Sequence, residues 1–257
     1  QYIFGVSGRA ILRALIEGGH SAVEMSKLAR GHLRKKRGQL IDALAGEPPV
    51  PAAQLVPDWL RERFRAPVAW SPEFGDEEEK NFSGRTPVPA AVLVPLVVRE
   101  AGLQMLLTMR TAHLHDHAGQ ISFPGGRVDP EDDDAIATAL RETEEEIGLS
   151  RRHIEVIGSL PDYQTGTGFK VTPVVALVHP PFELAADEFE VAEIFEVPLD
   201  FLMDGANHQR RSAEFPNRPG RRSFYAMPWE RYFIWGATAA MLRNLYHFLR
   251  ADDPRGE

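Results

Sequence analysis

The chain contains no cysteine. Disulfides, thiolate metal sites and cysteine nucleophiles are excluded, and any bound metal must be held by oxygen or imidazole, which favours a hard cation. Long hydrophobic runs are also missing: no apolar stretch approaches the roughly 20 residues of a membrane span. The first residues lack the charged, apolar and small-residue order of a signal peptide, so a cytoplasmic protein with no membrane partner is the expectation. Basic residues are in deficit, 29 Lys and Arg against 37 Asp and Glu, for a formal net charge of −8. That balance argues against broad nucleic-acid binding and leaves room for a local basic pocket.

What is present suffices for one full core and a small appendage: 257 residues, 43% hydrophobic and 26% charged. The expected organisation is a basic helical appendage over 1–46, a linker and short helix over 47–86, a catalytic domain over 87–250 and a tail over 251–257. In the appendage, Ile11, Leu12, Leu15 and Ile16 recur at helical spacing, and a second periodic stretch runs over 22–44 with Arg30, Arg34, Lys35, Lys36 and Arg37 on it. A solvated basic face is the plainer reading of those charges. The run GEPPVP breaks helix and marks the modular boundary. A short helix is expected over 57–65, then a polar, acidic loop over 71–85.

Two apolar, β-rich runs, 90–98 and 103–109, flank Arg-Glu-Ala-Gly and predict a hairpin. Further strands are expected over 154–160, 170–178 and 192–197, with helices over 134–147 and 235–249. Strands interleaved with few helices imply an α/β (α+β) sandwich.

The chemistry concentrates in FPGGRVDPEDDDAIATALRETEEEIGL, residues 123–149. Pro124-Gly125-Gly126 cannot extend a helix and lets backbone approach a bound group, while Asp134 is placed to cap the helix that follows. On that helix Glu142, Glu145 and Glu146 project from one face, and Glu144 points elsewhere. Three like charges on one face call for a counter-charge, which a divalent ion with oxygen ligands, Mg2+ or Mn2+, supplies. Arg141 lies four residues before Glu145 and can orient that carboxylate. Gly148 ends the helix.

This segment resembles the Nudix box, in which a glycine and a following acid precede REUxEExGU, U being aliphatic. Residues 141–149 match the second half, with Thr143 in place of an aliphatic residue. Either Glu131 or Asp133 takes the acidic position. The resemblance implies the Nudix fold, a mixed sheet sandwiched between helices, and metal-dependent attack of water on a phosphoanhydride. By position it implies Glu142 and Glu146 as principal metal ligands, Glu145 as a third, and Gly126 or Gly125 as carbonyl donor. Glu142, Glu145 and Glu190 are the expected catalytic carboxylates; Glu193 is a further candidate for the base.

Upstream, LLTMRTAHLHDHAGQISFPGG (106–126) is similar to the signature of the coenzyme A pyrophosphatase branch, and the likeness extends over about 87–249. Arg110, Gly119, Gln120 and Phe123 match; Thr111 replaces a serine and His115 an arginine. It implies a small coenzyme A-like nucleotide as partner, with Arg110, Phe123, Gly125 and Arg127 contacting it. Hydrolysis to 3′,5′-ADP and a phosphopantetheine product is the leading expectation. Hydrolysis of another nucleoside diphosphate derivative, or noncatalytic nucleotide binding, are the alternatives, and a homodimer is compatible with the chain. His113, His115 and His117 read as loop histidines. Arg210, Arg211, Arg218, Arg221 and Arg222 read either as a flexible basic loop or as a receptor for the 3′-phosphate end. Separately, FGVSGRAILRALIEGG and LARGHLRKKRGQLIDALAG, within 1–46, resemble a segment of IS110-type transposases, which implies a fusion or insertion scar with no activity.

Overall fold

The computed structural model describes residues 49–66, 68–73, 86–112, 119–215 and 218–251, with the side chains of 215 and 218–221 excepted. The expected appendage helices and histidines 113, 115 and 117 lie outside the described residues.

Two long strands form the spine. β1 (Val88–Arg99) and β7 (Phe169–Val178) run parallel, in continuous register from Val88 opposite Phe169 to Val97 opposite Val178. Both are apolar on both faces, as a parallel pair covered on each side requires. Glu100 and Ala101 form the turn into β2 (Gly102–Arg110), where Gly102 takes a φ of 115°. Together with β3 (Ile121–Ser122), β4 (Gly125–Arg127), β5 (Ile154–Ser159), β6 (Tyr163–Gln164) and β8 (Val191–Pro198) they make one eight-stranded mixed sheet.

Side-chain parity sorts this sheet into two faces. Val94, Leu96, Met105, Leu107, Val175, Leu177 and Val197 join a core with α1 (Pro57–Arg65) and α4 (Gly236–Arg250). Leu93, Val97, Leu106, Val174, Ala176 and Val178 face the other way, clustering with Ala139, Ile147 and Leu149 in and just beyond α2 (Ala135–Ile147). The sheet is thus sandwiched between helices, as expected. A short helix α3 (Leu199–Leu202) follows β8.

The residues expected as a basic loop instead form strands. β9 (Gln209–Phe215), β10 (Arg218–Trp229) and β11 (Tyr232–Trp235) build a separate three-stranded antiparallel sheet. Its strand signal is masked by arginine-rich stretches whose aromatic partners, Phe224 opposite Arg211 and Tyr225 opposite Arg210, lie on the other arm of the hairpin. Met227 and Ile234 pair and are fully buried, so one face of this sheet joins the α4 core.

Glu73 ties these parts together. Its carboxylate accepts from Tyr225 Oη at 2.7 Å and Arg243 Nε at 2.7 Å, and contacts His247 Nε2 at 3.0 Å, while its backbone N–H donates to Asn244 Oδ1 at 2.8 Å. Burial pushes this carboxyl up, but the bonds from His247, Tyr225 and Arg243 together outweigh it and lower the pKa to about 2. Because the folded value is depressed, the contribution is complete above the unfolded value of about 4.5 and is lost as pH falls toward 2. Urea midpoints measured across that window should fall with pH, and Glu73→Gln should be less stable at neutral pH and show a shallower acid-side decline.

Candidate active site

The site is built where the β4 bend meets α2. β4 pairs with the start of β1, Gly125 opposite Val92 and Gly126 opposite Ala91. Gly125 has a φ of 150°, and a Cβ there would lie 2.4 Å from the Ala91 carbonyl oxygen, so only glycine permits this approach. A Cβ on Gly126 would stand 2.5 Å from the Glu142 carboxylate. The Gly125 N–H donates to Glu146 Oε2 at 3.2 Å. The glycine pair therefore lies directly against both carboxylates that the helix projects.

α2 starts and stops as its sequence dictates: the Asp134 side chain caps the Ala137 N–H, and Gly148 closes the helix with a φ of 68°. Its orientation is set by Arg141. That guanidinium engages Asp132 through Nε at 3.0 Å and Nη2 at 2.8 Å, Glu142 at 2.9 Å, Glu145 at 3.0 Å and the Arg127 carbonyl at 3.2 Å. Arg141, with the Asp129 N–H, holds Asp132 well below the usual carboxylate range. The acid that meets this arginine is thus Asp132, not Glu131 or Asp133. Four consecutive acids, 131–134, disguise it, and a loop closed by Asp129 and Thr138 selects it.

The carboxylates divide by environment. Glu146 is 6% exposed and its pKa is raised to about 7, chiefly by burial with Glu190 and Glu142 adding to it, against the Gly125 N–H and Arg110. Burial likewise raises Glu142. Arg110 stands between Glu146, at 3.9 Å, and Glu190, at 3.8 Å. Glu145 is largely exposed and held by Arg141 at the rim, and Glu144 turns away toward Arg151.

Glu193 is not part of this group. It shares the parity of Phe195 and Val197 on the α4 face, where Arg231 and Tyr232 bind it. Phe123, expected to touch substrate, is 3% exposed in the main core, where it anchors the turn from within. Arg127 lies over the Phe169 ring at 5.3 Å.

Among the described residues, no group of three or more acidic or imidazole side chains converges into a ready-made cation cage. The donor chemistry nevertheless fits a hard divalent ion. Glu142 and Glu146 are oxygen donors set against the same glycine bend, and burial raises the pKa of each.

The NUDIX domain model matches residues 87–215, half of the chain. The chain belongs to the Nudix family. Two bacterial relatives, from Citrobacter koseri and Escherichia coli K12, are each described as "Uncharacterized Nudix hydrolase NudL". Each is 45% identical over 150 residues, which cover 58% of this chain and 77% of the relative. A crystal structure of a C. elegans Ap4A hydrolase binary complex is similar over 44% of this chain and 80% of its own, at 25% identity and a TM-score of 0.37. A Nudix hydrolase from M. smegmatis, RenU, gives 23% identity and a TM-score of 0.39, with 45% and 73% covered. The family match begins at residue 87 and does not reach the segment likened to transposases.

This Nudix hydrolase therefore has its box arginine braced by Asp132. If the α2 carboxylates hold the metal, Asp132→Ala should leave the fold intact but weaken Mn2+ binding by about 10–100-fold, since Arg141 loses the carboxylate that braces it; titration followed by electron paramagnetic resonance measures it.

Proposed function

We propose that this Nudix hydrolase cleaves the phosphoanhydride of coenzyme A or a derivative, giving 3′,5′-ADP and a phosphopantetheine product. The observation that supports hydrolysis at this site is the meeting of Glu142, Glu146, Glu190 and Arg110 around the Gly125–Gly126 bend. The choice of coenzyme A rests on the 106–126 segment, whose Arg110 reaches that same cluster.

In this reading Glu142 and Glu146 hold Mg2+ or Mn2+, with Glu145 and the Gly126 carbonyl as additional oxygen donors. A bound cation offsets the negative charge by which a diphosphate repels nucleophiles. Arg110 forks toward a phosphate oxygen. Glu190, 44% exposed and near Arg110, takes the proton from the attacking water. Arg127, beside the same bend, and Arg210, Arg211 and Arg222, on the three-stranded sheet, are candidates for the more distant phosphate.

A second reading keeps the chemistry and changes the substrate to another nucleoside diphosphate such as ADP-ribose; His115 in place of an arginine favours it, because a neutral imidazole grips phosphate less well. Product analysis with coenzyme A and ADP-ribose, each with magnesium and again with chelator, separates the two. The expected result is 3′,5′-ADP from coenzyme A, abolished by chelator; turnover of ADP-ribose alone would sink the coenzyme A assignment. Glu142→Gln should lower kcat/KM by about 10²-fold or more, whereas a noncatalytic binder would keep its affinity.

A further inference from the structure

The turn that carries Glu190 has little apolar burial to fix it: Glu188 is exposed and Phe189 is 65% exposed. Hydrogen bonds fix it instead, and they come from two directions. On one side, the Asp187 N–H donates to the Glu146 carbonyl at 2.8 Å. The Asp187 carbonyl receives the Glu190 and Val191 N–H groups at 3.1 and 2.8 Å, and its side chain receives the Phe189 N–H at 2.8 Å. This ties the turn to the end of α2.

On the other side stands Thr111, immediately after β2 and 7% exposed. Its N–H donates to the Glu190 carbonyl at 3.0 Å, and its hydroxyl donates to the Phe189 carbonyl at 2.7 Å. The preceding residue, Arg110, is the one that reaches Glu146 and Glu190, and its own backbone is pinned by Gln120 and Gly119. Two adjacent residues thus supply a side chain to the site and a brace for the turn facing it. A β-bulge between Met109 and Arg110 allows this arrangement by changing the β2–β8 register at that point.

We propose that Thr111 is a positioning residue: its hydroxyl and amide hold the turn that presents Glu190 to Arg110 and Glu146. The proposal rests on the reading that Glu190 takes part in the reaction. It also gives a physical sense to a hydroxyl residue directly after Arg110, since serine and threonine can both make the bond to the Phe189 carbonyl.

The test is a double-mutant cycle on the full chain with coenzyme A and magnesium, or with ADP-ribose if that is the compound turned over. Thr111→Val keeps the shape and removes the hydroxyl; it should lower kcat about 10–100-fold with KM little changed. Thr111→Ser should restore kcat to within about threefold of the parent. In the Glu190→Gln background, Thr111→Val should have almost no further effect, because its action passes through Glu190. Should the valine variant fail to fold, Thr111→Ala carries the same cycle without steric load. Parental kcat in a hydroxyl-lacking variant, or independent losses in the cycle, would overturn the positioning role. A fully active Glu190→Gln would instead overturn the assignment of Glu190 beneath it, so the two failures are distinct.

Discussion

Burial of Glu142 and Glu146 against a glycine bend is the constraint around which this molecule is organised. Neither burial nor proximity is favourable to a carboxylate. The fold imposes both at the glycine bend: Gly125 packs so closely on the Ala91 carbonyl that no Cβ fits, and Gly126 lies under the Glu142 carboxylate. Glu146 is left with little positive charge: Arg110 stands 3.9 Å from it, whereas Arg141 pairs with Glu142 at 2.9 Å.

That strain has to be offset by the scaffold. The parallel β1–β7 spine, buried on both faces, fixes the strand against which β4 is pressed, while the Asp132–Arg141 pairing fixes the rotation of α2. Arg141 contacts Glu142 and Glu145 and leaves Glu146 alone. The two principal carboxylates therefore differ: one is shared with a guanidinium, the other is buried beside a backbone N–H. The two carboxylates thus meet different electrostatic surroundings, although burial raises the pKa of both.

Much of this was legible in the residues. Helix α2, its Asp134 cap, its Gly148 stop and the outward turn of Glu144 follow from local rules that act within a few positions. The β1–β2 hairpin and the central strands follow from apolar runs bounded by turn residues. What could not be read depends on pairings that no local pattern announces. Asp132 differs from its acidic neighbours only in what it meets. Phe123 looks like part of a binding signature, but its neighbours in space are core residues. The β9–β10 pairing unites arginine-rich strands whose aromatic partners give neither strand a clear pattern alone. Glu190 and Glu193 are the same residue type; what separates them is that one sits in the turn before β8 and the other on the α4-facing side of that strand.

The bulge beside Arg110 has a consequence for how this enzyme tolerates change. Ala192 is the extra residue on β8, with Glu193 opposite Met109 and Val191 opposite Arg110. It is exposed, so its side chain matters little, but its presence as a spacer resets the alternation and allows Val191 and Ile194 to pack toward the same cluster. Replacing Ala192 would leave that phase untouched. Excising it would rotate the strand by half a period, swap inner for outer positions up to Glu190, and dismantle the site without altering a single acidic residue.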